Sequence, residues 1–470
     1  MGTISSAFSI ISQALDADQS ALSIVANNVA NANTTGYTQE VPNWQENQPI
    51  EVNGISYGTG VTETGPTSVR DSVLEERLAQ QQQLASASGS RLTALNTMQA
   101  LFTPASGSSS STAGDIGSDL TSFFDSFSSL EANPTDNALR QQVLSTAATF
   151  SGDVSNAAAS LNSQKSALDQ EAAGVTSQVN ALTSAIAQLN QQIQSTSAGA
   201  DPGTLEDQRQ QDLSQLSQLI GINRITGDDN GISITTTSGQ LLVAGDNSFQ
   251  MTSGTVGGVT HFFVGTTDVT SQLASGGGEL GGYLTARDQD IPNVLASLDQ
   301  LAYSVSTQVN TLNNAGTDLD GDNGNAGNIF SEPAQVAGSA AAMSVTMTDP
   351  NHIAAAGLGQ GTGDNSNATV IANLANQSIV NGQTPTNFFS NLVTILGSTV
   401  SGVQAENTAQ NASVTQLQTQ NNALSSVNLN DQASFMQQFE RSYQAASQVF
   451  TMLDTIMASV LNLGDTTAVS

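Results

Sequence analysis

The residues best suited to bind a metal ion form a short acidic string, Asp318-Leu319-Asp320-Gly321-Asp322-Asn323-Gly324. Carboxylates at alternate positions resemble the start of a calcium-binding loop, because hard divalent cations prefer oxygen ligands. An EF-hand loop, however, needs glycine sixth and a bidentate glutamate twelfth, where this chain has Asn323 and Ile329. The sequence therefore favours a tight Asp/Gly turn and predicts no metal site, while weak Ca²⁺ binding by the three aspartates stays open.

Groups for nucleophilic or acid–base catalysis are scarce. The chain has no cysteine and two histidines, His261 and His352, so thiolate chemistry, disulfides and Cys/His zinc sites are not expected. We interpret both histidines as packed or turn residues. The adjacent carboxylates Glu75-Glu76 and Asp228-Asp229 point apart on a helix or lie in a turn, so neither pair forms an acid–base couple.

The sequence also contains no serine elbow and no phosphate-binding glycine loop with a lysine. We therefore predict a non-enzymatic protein without a cofactor. The rival hypothesis is a carboxylate-based glycosidase in the β-rich part of the chain.

The charge of the chain excludes further classes of protein. Forty Asp and Glu residues against nine Lys and Arg give a net charge of −31, and the basic residues are scattered singly, which predicts no nucleic-acid binding. Only 10% of the residues are charged, where an ordinary domain has about 25%. Uncharged polar surfaces let copies of a chain pack closely, although a secreted surface protein of biased composition would look the same.

The sequence predicts neither membrane insertion nor a cleaved signal peptide. No run of about 18 apolar residues is present, so we expect no membrane insertion. The first basic residue is Arg70, so no positive segment precedes an apolar core and we expect no cleaved signal peptide. The chain then either stays in the cytosol or leaves by another route.

The two ends of the chain are predicted to form helices with heptad spacing, and these helices position the candidate residues for packing between subunits. Near the N-terminus, apolar positions alternate by four and three residues, with one polar interruption, at Ile4, Phe8, Ile11, Leu15, Asp18, Leu22, Val25 and Val29. The same alternation recurs near the C-terminus at Phe439, Tyr443, Ala446, Phe450, Leu453, Met457 and Val460. We expect these two seams to meet, either between many copies of the chain or as an ordinary helix pair inside one globule.

The middle of the chain predicts long helices around a β-rich insertion. Apolar spacing predicts helices over 69–101, 115–130, 135–196 (with Asp136 at its N-terminus), 202–219, 284–314, 387–424 and a short stretch after 363. Between 221 and 282, short alternating runs separated by Gly, Asp and Asn predict hairpins. Residues 342–348 are a candidate for one further strand.

The ends of the chain resemble the bacterial flagellar axial proteins, which include rod, hook and hook-associated proteins. The N-terminal signature is carried by Gln19-Ser20-Ala21-Leu22 and by Asn27-Asn28-Val29-Ala30-Asn31-Ala32-Asn33-Thr34-Thr35-Gly36-Tyr37. The C-terminal one is carried by Val427-Asn428-Leu429, Phe439, Tyr443-Gln444-Ala445-Ala446 and Leu461-Asn462-Leu463. Gln39 departs from the family, which commonly has a basic residue there.

Within that group, central strings resemble the hook-filament junction proteins. They are Leu280-Gly281-Gly282-Tyr283-Leu284 with Arg287-Asp288, then Asn310, Gly316, Asp318, Gly321, Gly324 and Phe330, and finally Asp349-Pro350, Ile353-Ala354 and Gly363-Asp364-Asn365 with Asn367-Ala368. The resemblance implies a structural subunit of the extracellular flagellum that forms a ring joining hook to filament. Its implied partners are the hook protein, a second filament-side junction protein, other copies of the chain and an export chaperone at the C-terminal helix, with export by the flagellar type III channel.

Together, pattern and resemblance predict a mainly α fold: terminal coiled-coil helices plus a long-helix bundle, with a small inserted antiparallel β subdomain. The predicted domains are a terminal coiled-coil polymerisation domain (1–38 and 429–470), a helical bundle domain with connecting segments (39–220 and 284–428) and a β-rich outward subdomain (221–283). The alternatives are another flagellar axial protein, such as a hook or distal rod subunit, and an acidic secreted adhesin.

The predicted subunit-packing residues come from the two seams and the N-terminal signature. They are Phe8, Ile11, Leu15, Leu22, Val25, Val29, Asn31, Asn33, Gly36, Tyr37, Phe439, Tyr443, Phe450, Leu453, Met457 and Val460.

Overall fold

The computed structural model describes residues 2–52, 54–102, 116–196, 202–227 and 230–466, so the Asp228-Asp229 pair lies outside the described residues. The first half contains the α-helices α1 (Gly2–Asn31), α2 (Ser72–Leu101), α3 (Ile116–Ala132), α4 (Asn137–Ser195) and α5 (Gly203–Leu219). The second half contains α6 (Thr270–Gly276), α7 (Gly278–Thr285), α8 (Ile291–Ala315), α9 (Ser339–Ala342), α10 (Ser366–Asn373), α11 (Pro385–Ser425) and α12 (Leu429–Thr466). A π-helical turn over Ala286–Asp290 joins α7 to α8.

The strands form small antiparallel sheets in two places. Between α1 and α2 lie β1 (Glu40–Glu46), β2 (Ile50–Val52), β3 (Ile55–Tyr57) and β4 (Val61–Ser68), in which β1 pairs with β4 and β2 with β3. After α5 come β5 (Ile222–Thr226), β6 (Ile232–Thr236), β7 (Leu241–Ala244), β8 (Asn247–Ser248), β9 (Met251–Val256), β10 (Val259–Val264) and β11 (Thr267–Asp268). These pair in the orders β5-β6-β7-β8 and β11-β10-β9.

The predicted fold class, mainly α with an inserted antiparallel β region, is confirmed. The longest helix, α4, was predicted from its apolar spacing, because over its 59 residues it buries one face at the helical period. Asp136 caps it as predicted, accepting a hydrogen bond from the backbone N–H of Ala138 at 2.8 Å.

Helix α4 runs through two hydrophobic cores. Its first part, including Phe150, packs with α3, α8 and α11 around an aromatic cluster in which the ring centroids of Phe123 and Phe330 are 5.3 Å apart. Its later part, including Val179, packs with α5, α7 and strands β5, β6, β7, β9 and β10 in a second core. At 1.5 Å per residue the helix is about 89 Å long, so one continuous rod links both cores.

Helix α7 approaches α2 very closely. A side chain at Gly282 would collide with the Ser90 hydroxyl and the Ala87 carbonyl oxygen, and its Cβ would lie 2.9 Å from the Arg91 nitrogen. Beside this contact, Arg91 forms a bidentate ion pair with Asp290 at 2.8 and 2.9 Å. The glycines of the Leu280–Leu284 string therefore permit tight helix packing.

Three stretches differ from the sequence prediction. Strands β1 to β4 were not predicted, because their side chains are mostly exposed and polar and show no apolar alternation. The β region ends at Asp268, and α6 and α7 occupy residues predicted as strand, because the Gly276-Gly277-Gly278 run that separates them looks like a turn between strands. The candidate strand over 342–348 is reduced to a single bridge between Phe330 and Val345.

Candidate assembly surface

The first and last helices pack against each other within a single chain. Phe8 of α1 and Phe450 of α12, both from the predicted seams, meet edge to face with ring centroids 5.0 Å apart. The two ends of the sequence are thus brought together in one molecule. Packing between copies, which the heptad pattern also allows, remains a prediction and falls to the faces that stay exposed.

The predicted seam residues differ in burial. On α1, Val25 is buried, Val29 is exposed, and four residues are half-buried: Phe8, Ile11, Leu15 and Leu22. On α12, Phe439, Leu453 and Met457 are half-buried, whereas Tyr443, Phe450 and Val460 are exposed. The seams are therefore only partly covered by the pairing of α1 with α12.

The β1–β4 hairpin completes the packing of the terminal helices. Trp44 of β1 lies edge to face against Phe439 of α12, with centroids 5.8 Å apart. The Asn47 side chain donates to Gln13 Oε1 at 2.9 Å, and Ser20 donates to Glu63. The sequence reasoning missed this element, although the lone tryptophan of the chain was an available signal.

A buried polar cluster, which we call the Asn28 node, fixes the crossing of the two helices. Asn28 is 1% exposed and donates to the Glu40 carbonyl at 2.7 Å and to Gln432 Oε1 at 3.1 Å. Its Oδ1 accepts from the Glu40 N–H at 2.9 Å and from the Tyr37 hydroxyl at 2.8 Å. One amide thus joins α1, the following strand and α12, and all of its polar atoms are satisfied.

Tyr37 is the predicted site residue that belongs to this node. Burial, together with the carboxylates of Glu40 and Asp207, raises the pKa of the Tyr37 hydroxyl well above its usual value. The hydroxyl therefore stays protonated and remains a hydrogen-bond donor to Asn28.

The loop between α1 and β1 holds the other signature residues. Asn31 donates to the Asn27 side chain at 2.9 Å and accepts from the Thr34 hydroxyl at 3.2 Å, while Asn33 is exposed. Gly36 has a φ of +79°, in the left-handed region, and a Cβ there would strike the Gln211 side chain of α5. Asn31 therefore orders the turn, and Gly36 lets it approach α5.

Ion pairs anchor this loop to the helical part of the chain. The Asp207 carboxylate accepts from the Thr38 N–H at 3.1 Å and pairs with Arg70. Arg70 also lies 3.5 Å from Glu75, which is 3.7 Å from Arg224. Burial raises the pKa of Glu75 more than the two arginines lower it. Arg70 and Arg224, two of the few basic side chains of the protein, thus hold α5, α2 and the loop together. Arg209 pairs with Glu206 within α5 at 3.9 Å.

Helix α12 carries a second apolar line that the sequence reasoning missed. Val449, Met452 and Ile456 are spaced by three and four residues and are exposed, Met452 to 62%. This line, which we call the α12 outer line, lies beside the seam that contacts α1. Phe435 and Leu461 extend the exposed apolar surface toward the two ends of α12. The three-four spacing of these residues was an available signal for it.

The structure also bears on membrane insertion. Over the described residues, none of the helices combines the length and the apolarity needed to cross a membrane.

Comparisons with known proteins identify family models and relatives that this chain matches. The family model described as "Flagellar hook-associated protein FlgK helical domain" matches residues 106–330, and that described as "Flagella basal body rod protein" matches residues 10–38. The chain is 26% identical to flagellar hook-associated protein 1 of Bacillus subtilis (strain 168), covering 96% of each chain. It is 25% identical to flagellar hook-associated protein 1 of Salmonella typhimurium, covering 96% of this chain and 98% of the relative.

A solved structure has the same fold. The flagellar hook junction protein FlgK from Burkholderia pseudomallei superposes with a TM-score of 0.65 at 18% identity, covering 73% of this chain and 99% of that chain.

Proposed function

The chain belongs to the family of flagellar hook-associated protein 1, and we propose that it is a non-enzymatic subunit of the flagellum that joins hook to filament as a ring of copies. The observation that carries this proposal is the pairing of α1 with α12, which leaves the α12 outer line and part of each seam exposed. A lone molecule gains nothing from these exposed apolar side chains. A ring of copies buries them.

The chemistry of α12 supports packing between helices. Its 38 residues include five charged ones, Asp431, Glu440, Arg441, Asp454 and Asp465, so few charges must be desolvated. Burial of apolar surface contributes about 25 cal/mol per Å². We propose that residues 1–38 and 429–470 form the terminal coiled-coil polymerisation domain, with α1 and α12 of successive copies stacked in the inner tube.

The rest of the chain then surrounds that tube. We propose that the helical part (39–220 and 284–428) forms the wall and that the β-rich part (221–283) faces outward. One edge of the ring contacts hook protein subunits, and the other contacts the second, filament-side junction protein. The α4 rod through both cores makes this wall stiff, which suits a part that transmits torque.

Before assembly the exposed face of α12 needs a cover. We propose that a dedicated export chaperone binds this helix and that the chain passes through the flagellar type III channel to the outside of the cell. Exposed side chains such as Met452, Ile456 and Leu461 would otherwise favour aggregation.

Deletion of the gene in the bacterium that carries it tests the proposal. We expect cells that keep their hooks, lose motility and release filament subunits into the medium, with recovery when the full chain is supplied. Normal filaments in the deletion strain would contradict the proposed role, and loss of the hooks would favour the alternative of a hook or rod subunit.

A further inference from the structure

The acidic turn after α8 contains a buried carboxylate that is only half satisfied. Asp318 is 0% exposed, and its Oδ1 accepts from the Asp322 N–H at 2.8 Å. Its Oδ2 is buried and has no hydrogen-bond partner. A buried carboxylate oxygen without a partner is costly, so this oxygen calls for a positively charged or donating ligand.

A second turn brings a histidine to the same place. Asp349 begins a 3₁₀ turn over Pro350–His352, and the Asn351 carbonyl accepts from the Leu319 N–H at 3.0 Å, which ties the two turns together. The possible ligand atoms of Asp318, Asp322 and His352 all lie within 4.8 Å of one another. The sequence analysis interpreted His352 as a packed or turn residue, because no second His or Cys lies near it in the sequence. Asp318 and Asp322 come from a different part of the chain.

Further carboxylates surround this cluster. Asp320, Asp349 and His352 form a second set within 4.8 Å, and His352 Nε2 lies 3.4 Å from Asp320 Oδ2. His352 is therefore shared by four aspartates, which concentrates negative charge around one imidazole.

Arg140 at the start of α4 is a buried cation near Asp318 and Asp320, and several of its donors bind backbone carbonyls. The guanidinium donates to the Pro134 carbonyl at 2.8 Å and to the Ile353 carbonyl. Burial lowers the pKa of Arg140 to about 10, against the influence of Asp318 and Asp320, so it stays charged at neutral pH. This one positive charge, which lies near Asp318 and Asp320, leaves the cluster of four carboxylates with an excess of negative charge.

We propose that Asp318, Asp322 and His352 form a binding site for one divalent transition-metal ion, with Asp320 and Asp349 as neighbouring acids. The imidazole nitrogen favours Zn²⁺ over Ca²⁺, which prefers a set of oxygens alone, and the two carboxylates also suit Mn²⁺. Metal–ligand bonds are about 2.0–2.2 Å long, so the three ligand atoms, which lie within 4.8 Å of one another, must draw together when the ion binds. The ion satisfies the buried oxygen of Asp318 and clamps the two turns at the end of α8, and three protein ligands leave positions for water.

Titration calorimetry of the full-length chain with ZnCl₂, and separately with MnCl₂ and CaCl₂, tests the site. We expect one Zn²⁺ or Mn²⁺ per chain, weaker Ca²⁺ binding, and a rise in the thermal unfolding midpoint with the bound ion. His352→Gln should lower the affinity for Zn²⁺ at least tenfold. Its side chain is 43% exposed, so this variant is expected to fold. Asp318→Asn should have the same effect on affinity.

The other histidine provides the matched control. His261 lies in β10 with its Nδ1 2.6 Å from Asp268 Oδ2, and His261→Gln should leave the affinity unchanged. The proposal is overturned if the wild-type chain binds neither Zn²⁺ nor Mn²⁺, because Arg140 then suffices as the counter-charge. Equal affinity of the His352→Gln and wild-type chains also overturns it, since the ion would then bind adventitiously elsewhere.

Discussion

Single residues decide how the chain ends are held, and Asn28 is the clearest case. Replacing Asn28 by Ala leaves the Glu40 N–H, the Tyr37 hydroxyl and Gln432 without their shared partner in a buried place. Losses of this kind cost about 1–3 kcal/mol each. We expect faster hydrogen exchange of backbone amides throughout α1 and α12 of the isolated chain, measured by mass spectrometry.

Asn33 of the same signature is the control for that experiment. It is exposed in the loop after α1, so Asn33→Ala should leave amide exchange in the isolated chain unchanged. Equal protection of α12 in the Asn28→Ala and wild-type chains would show that the Asn28 node does not hold the helices together.

Gly282 provides a second prediction at the scale of one residue. A methyl group there collides with Ser90 and with the backbone at Ala87, so Gly282→Ala must push α7 away from α2. Overpacking costs about 1–3 kcal/mol, and we expect a lower thermal unfolding midpoint by calorimetry.

The matched control is Gly152→Ala inside α4, where a Cβ meets nothing within 4 Å. Removing a glycine from a helix stabilises it by up to about 1 kcal/mol, so this change should leave or raise the midpoint. A Gly282→Ala chain that melts like the Gly152→Ala chain would contradict the close α2–α7 contact.

At the scale of elements, the α12 outer line separates folding from assembly. We expect the triple variant Val449→Ser, Met452→Ser and Ile456→Ser to keep the helix content and midpoint of the isolated chain, because these side chains are exposed. The same variant should fail to restore filaments in the deletion strain, since the apolar surface for neighbouring copies is gone. Far-UV circular dichroism and electron microscopy of cells measure the two effects.

Ile395 of α11 is an exposed apolar residue outside the terminal helices, at 66%. Ile395→Ser should leave filaments intact. Restored filaments with the triple variant would mean that the outer line is not part of the assembly surface.

The elements also show where sequence reasoning succeeds. Helices α2, α3, α4, α5 and α11 were predicted within a few residues, because each buries one face at the helical period. Strands β1 to β4 were not predicted, because β1 and β4 pack against the terminal helices and not against an apolar core, so their sequence shows no apolar alternation. The seam residues were readable from heptad spacing, whereas the Asn28 node required knowledge of which distant segments meet.

At the scale of the whole molecule, the ends of the chain and the β-rich region lie in different environments in the proposed ring. The chain has no cysteine, so a single introduced thiol reports on one position without interference. Met452 of α12 and Thr266 in the exposed turn before β11 are both accessible in the isolated chain. In the proposed ring, position 452 is buried between copies and position 266 faces the medium.

The most direct test is therefore thiol labelling of the Met452→Cys and Thr266→Cys chains, once as isolated protein and once in hook–filament structures purified from cells. The isolated chains should react with a maleimide at both positions. In the assembled structure only position 266 should react, because the ring buries α12 between copies and leaves the β-rich region facing the medium. Labelling at position 452 to the same extent in the assembled structure would contradict the central claim that the terminal helices pack between copies.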